Sequence, residues 1–114
     1  VPGGHDRRWL KRHAKAPYLA ASGKIVEVLP PLVTVKFPRG KRLLVVVLCH
    51  YPMLTWDRSH HGSIQLHGHS HGKIPAGMSG EGVRIDVGVD VWGFRPVSLE
   101  EIEALAAKII GKVT

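Results

Sequence analysis

The chain has 114 residues, 44% of them apolar, and a formal charge of +7 at pH 7. That length allows a single domain, 1–114, with a modest core, and the apolar fraction excludes a disordered chain. One cysteine, Cys49, excludes an intrachain disulfide, and no apolar run is long enough to span a bilayer. With no signal-peptide pattern either, a reducing, cytoplasmic setting without a membrane partner is expected. The positive charge favours anionic partners such as phosphate esters or nucleic acid.

Residues 1–6 form a Pro/Gly-rich loop. Arg7–Lys15 reads as a helix, with Asp6 favouring its N-terminal end and Pro17 terminating it. Its cations Arg7, Arg8, Lys11, Arg12 and Lys15 suit either a phosphate-bearing substrate or a solvated face with Trp9 and Leu10 turned inward, and the solvated face is the expectation. Lys24–Leu29, Leu32–Phe37 and Arg42–His50 read as strands, separated by Pro30-Pro31 and by the turn Pro38-Arg39-Gly40-Lys41. Val33, Val35 and Phe37 alternate with Thr34 and Lys36, giving one buried and one wet face. Leu43–Leu48 does not alternate and predicts a central strand covered on both sides, with the Cys49 thiol buried at its end.

Tyr51–Ser63 reads as an irregular connection whose Trp56 suits either covering a substrate or packing. Ser63–His67 reads as a short strand and Lys73–Gly82 as a glycine-rich loop. Arg84–Val91 alternates strictly and predicts a strand with Ile85, Val87, Val89 and Val91 on one face and Asp86 and Asp90 as wet-face charges on the other. Ser98-Leu99-Glu100-Glu101 is a capping box opening a last helix, with Ile102, Leu105, Ala106 and Ile109 as its apolar stripe.

Five of the eight histidines lie between His60 and His71, with His50 just before them. Imidazole is the commonest metal ligand in proteins. His50 ends the apolar run of a strand, where rigid scaffolds place chemistry. If residues 66–71 are extended, His69 and His71 share a face about 6–7 Å apart. That separation suits two ligands on one ion, or one ligand each on two ions about 3.5–4 Å apart. Gly68 removes a side chain where the backbone must turn or approach something closely. His60, His61 and His67 read as structural or solvent-facing, and His50, His69 and His71 together read as metal ligands.

Three segments, Gly3-Gly4-His5-Asp6, Cys49-His50-Tyr51-Pro52 and Gly68-His69-Ser70-His71, resemble the last three motifs of the calcineurin-like metallophosphoesterases, in that family's order. The stretches Arg84–Trp92 and Arg95–Glu101 look like the closing strand and helix of its small bacterial and phage members. The resemblance covers nearly the whole chain. It implies an α+β fold of the α/β sandwich type: an incomplete metallophosphoesterase β-sandwich flanked by helices. It implies hydrolysis of a phosphodiester or phosphomonoester with one or two divalent transition metal ions (Zn, Mn, Ni or Fe), which generate hydroxide near neutral pH. His5 would be the general acid, oriented or charge-stabilised by Asp6. His50 and His69 would serve the second ion and His71 the first.

Two departures from the family pattern stand out. The first two motifs, Asp-x-His and Gly-Asp, have no counterpart, since only Val1 and Pro2 precede Gly3. They supply the bridging aspartate and most ligands of the first ion. Gly4 also replaces the metal-binding Asn of the third motif. The sequence is therefore expected to be the C-terminal part of such an enzyme, a weak esterase by itself, completed by an N-terminal segment, a partner chain or a second copy. Missing strands would leave a bare sheet flank, so a homo-oligomer is expected. Two other readings are a non-catalytic metal-binding or assembly module kept from that fold, and a basic nucleic-acid-binding domain using Arg7–Lys15 and Arg39–Arg42. The second lacks the aromatic pattern of single-strand binders.

Overall fold

The computed structural model describes residues 1, 3, 18–19, 23, 25–26 and 28–113. The predicted helix Arg7–Lys15 and the motif residues Gly4, His5 and Asp6 lie outside the described residues. Two short strands, β1 (Tyr18–Leu19) and β2 (Ile25–Val26), pair antiparallel. The predicted strand Lys24–Leu29 is thus a strand only at its Ile25–Val26 step among these residues.

The main body is a five-stranded mixed sheet with one long helix. Its elements are β3 (Leu32–Arg39), β4 (Arg42–Cys49), β5 (Ile64–His67), β6 (Gly77–Ser79), β7 (Gly82–Asp86) and α1 (Leu99–Val113), and the strand order is β3-β4-β5-β7-β6. The fold class is therefore α+β. Strands β3 and β4 form a hairpin in which Gly40, with φ 61°, supplies the positive φ required by a two-residue loop. Pro38 lies within β3, which the sheet tolerates because β3 is its terminal strand and needs no outward N–H.

Alternation along the central strands gives the sheet two different faces. On one face Val46, Ile64, Leu66, Val83 and Ile85 pack against Ile102 and Ala106 of α1. The periodic stripe predicted for the last helix is the one that packs there. The opposite face buries Val45 and Val47 beside Gln65, His67 and Asp86. The centre of β4 is covered on both sides, as its unbroken apolar run predicts. Cys49 at its end is half-buried, not sealed, because β4 stops at an open edge.

Two strand boundaries depart from the sequence pattern. The predicted strand Arg84–Val91 ends at Asp86, after which the chain turns, and Val89 and Val91 are exposed. The Val-Asp alternation beyond Asp86 is a turn pattern that mimics a strand. Asp86 is not a wet-face charge either: it is 3% exposed and saturated with hydrogen bonds. The predicted loop Lys73–Gly82 contains β6, which pairs antiparallel with β7.

Trp56 packs instead of covering a substrate. It is buried, its Nε1 donates to Ser63 Oγ at 2.9 Å, and a Cβ on Gly82 would fall 2.4 Å from its ring. The capping box forms as written: Glu101 N–H donates to Ser98 Oγ and Ser98 N–H to Glu101 Oε1, both at 3.2 Å. Arg39 reaches Glu103 at 2.8 Å, tying β3 to α1. No helix among the described residues is long and apolar enough to cross a membrane.

Candidate functional site

Strands β4, β5 and β7 are parallel neighbours, with Leu48 opposite Leu66 and His67 opposite Asp86. They therefore end flush, at Cys49, His67 and Asp86. Two further backbone bonds continue the row: Gly68 N–H to the His50 carbonyl at 3.0 Å and Val87 N–H to the His67 carbonyl at 2.8 Å. The loops that follow all leave from one edge. In sheets of this kind, ligands bind outside the carboxyl ends of the parallel strands. Here that edge carries His50, the loop 68–72 and the loop 87–94.

His50 and His69 meet there, with ring centroids 5.2 Å apart and nearly perpendicular. Tyr51 completes the group, 4.7 Å from His69 and 5.0 Å from His50. Gly68 lies against His50: a Cβ there would meet Nδ1 at 3.7 Å, an ordinary contact distance. Beside His50 lies a cavity of about 250 Å³ walled by Leu48, Leu66, His67, Gly68 and Val87, with Val1 also on its wall.

Residues 68–72 are not extended. His69 and His71 both adopt left-handed backbone conformations, with φ 64° and 49°. Such conformations are costly for residues with a Cβ and persist only when the surroundings enforce them. Asp86 does the enforcing. Its carboxylate accepts from Ser70 Oγ at 2.9 Å, Gly72 N–H at 3.0 Å and Gly88 N–H at 2.9 Å. Burial pushes this carboxyl up, but the Gly88 and Gly72 N–H groups, the Ser70 hydroxyl and the charge of His67 outweigh it and hold it below the usual carboxylate range.

The turned loop sends its two histidines apart, not onto one face as the extended reading predicts. His69 goes to His50, whereas His71 is 79% exposed and meets Asp90, with Nδ1 2.8 Å from Oδ2. Among the described residues no three His, Cys, Asp or Glu side chains come together closely enough to hold an ion. The donor chemistry still suits a metal in part: two imidazoles stand side by side at a roomy edge, and a third is held on a carboxylate. His5 and Asp6 lie outside the described residues.

Three other described histidines are not part of the edge pair. The exposed His60 and His61 lie on a 3-10 turn, Ser59–His61, with tilted rings 5.0 Å apart. His67 is 1% exposed, and its Nδ1 donates to the Gly68 carbonyl at 2.9 Å. Its Nε2 is buried without a hydrogen-bond partner among the described residues.

Sequence reasoning missed three contributors: Tyr51, Asp86 and Asp90. A signal for the last two existed in Asp86-Val87-Gly88-Val89-Asp90, where Gly88 interrupts a strand pattern and marks a close approach. Comparison of the chain with protein-family models, curated proteins and solved structures gives no match.

Proposed function

We propose that this chain carries the histidine half of a metal-dependent phosphoesterase centre, as its resemblance to the calcineurin-like metallophosphoesterases implies. The observation that supports this most is the His50–His69 pair, 5.2 Å between ring centroids, at the flush ends of three parallel strands. In this reading His50 and His69 hold one divalent transition metal ion and His71 serves a second. The separation of His71 from the other two, on its own carboxylate, agrees with that division of ligands. A bound ion supplies a strong nucleophile from water at neutral pH and neutralises phosphoryl charge. Imidazole ligands favour zinc, nickel or iron over Mg²⁺, which prefers oxygen, and the resemblance adds manganese.

The chain's own residues do the rest. Tyr51 buttresses both rings of the pair, and the cavity beside His50 has room for a phosphoryl group. Val1 lies on the wall of the same cavity. His5 would hold the proton given to the leaving oxygen, with Asp6 orienting it. Gly4 replaces one ligand, and no carboxylate among the described residues is placed to bridge two ions, so activity should be weak. The finer sandwich architecture and self-association along the terminal strand β3 belong to the same proposal, and a clean monomer in light scattering would count against the latter.

The test is hydrolysis of bis-p-nitrophenyl phosphate with added Mn²⁺, Zn²⁺ or Ni²⁺, beside a His69→Ala control. Metal-dependent turnover abolished by the substitution supports the reading. Bound metal without turnover favours the second reading, a non-catalytic metal-binding module, which the absence of a three-ligand cluster among the described residues favours.

A further inference from the structure

We infer that Asp90 is a positioning residue for His71: it fixes the ring's proton on Nδ1 and so presents Nε2 as the free lone pair. The inference rests on the reading of His71 as a ligand only for its consequence, not for its chemistry. A carboxylate accepts hydrogen bonds and cannot donate them. The 2.8 Å contact between Nδ1 and Asp90 Oδ2 therefore requires the proton on Nδ1. In the neutral ring the other nitrogen, Nε2, then keeps its lone pair, as a metal-binding imidazole needs.

Among the described residues the Asp90 bond is what holds the ring, which is 79% exposed, so its orientation depends on this bond. The chain is built to make it. Gly88 lies between Asp86 and Asp90: a Cβ there would fall 2.8 Å from Asp90 Oδ1 and 3.1 Å from Asp86 Oδ1. A Cβ at this position would press on both carboxylates and shift Asp90 Oδ1. Asp86 then uses its oxygens to shape the loop, through Ser70 and Gly72. Asp90 is left to reach the ring that this loop presents. One five-residue stretch thus both bends the histidine loop and orients its last histidine.

An isolated surface ion pair would be worth little and would leave the tautomer unset. The two cases separate by long-range ¹H–¹⁵N spectra of the histidine rings in metal-free protein at about pH 8.5, where a reference imidazole is neutral. The expected result is an Nδ1–H tautomer for His71 that Asp90→Ala loses, the proton then spreading over both nitrogens. Gly88→Ala, which keeps every carboxylate but displaces Asp90, should reproduce the loss. An Nε2–H ring in the unaltered protein, or a tautomer indifferent to Asp90→Ala, overturns the inference. Zinc titration of the same variants adds the consequence: Asp90→Ala should weaken binding by roughly 10–100-fold. If His71→Ala weakens zinc binding and Asp90→Ala does not, the positioning role is overturned. If neither affects zinc while the tautomer follows Asp90, the positioning stands and the ligand reading of His71 fails.

Discussion

Two serines are paired with acidic residues in this fold, and the pairs do different things. Ser98 and Glu101 exchange hydrogen bonds across the first turn of α1, in the open, with Arg95 gripping the same carboxylate at 2.8 and 2.6 Å. Ser70 and Asp86 meet across the edge of the sheet, and Asp86 is buried. At α1 the carboxylate finishes a helix that its own apolar stripe already stabilises. At the edge it forces two histidines into left-handed conformations that their side chains resist. Local capping adds to a structure, whereas the buried carboxylate creates one, and the structure it creates is the candidate site.

The largest effect that would break this contrast is Asp86→Ala. It strands the Ser70 hydroxyl and the Gly72 and Gly88 N–H groups at a buried edge, and should cost about 2–4 kcal/mol in urea unfolding. The His69 and His71 ring signals should move with it. Gly82→Ala comes next, because its Cβ must displace the Trp56 ring and crowd two carbonyl oxygens at 3.1 Å. Its cost should be about 1–3 kcal/mol, with the histidine signals unmoved. Ser98→Ala should cost about 1 kcal/mol and leave the site untouched.

Acid sharpens the comparison further. Glu101 is held down to about 2, by the Arg95 hydrogen bonds first and then by the Ser98 N–H, and Asp86 is also depressed. Both carboxyls lie below their unfolded values, so the sign is the same. Each contribution is full above the unfolded carboxylate range, about 4, and is lost as pH falls through the folded value. The solvent-accessible Arg95–Glu101 pair should fade with added salt, whereas the Asp86 contribution should not. Acid unfolding at two ionic strengths, followed by the histidine signals and by helix content, would separate the two.

The same contrast explains what the sequence makes legible. The capping box, the stripe Ile102/Leu105/Ala106/Ile109 and the hairpin turn at Gly40 involve partners a few residues apart, and a linear reading finds them. The meeting of His50 with His69 was half legible: their types and places at strand ends were visible, but their pairing depends on β4 and β5 lying parallel. The partnership of Ser70 with Asp86 spans 16 residues and exists only through the register of β5 with β7. The Val-Asp alternation after Asp86 misled because exposed valines in a turn and buried valines in a strand share one pattern. His69 and His71 were expected to share a face because nothing in their spacing reveals a left-handed turn.

Isothermal titration of the folded protein with zinc tests the central claim most directly. The account predicts saturable binding that either His50→Ala or His69→Ala weakens by about tenfold or more, the scale of a lost ligand or its support. No binding, or binding that neither substitution alters, would contradict it.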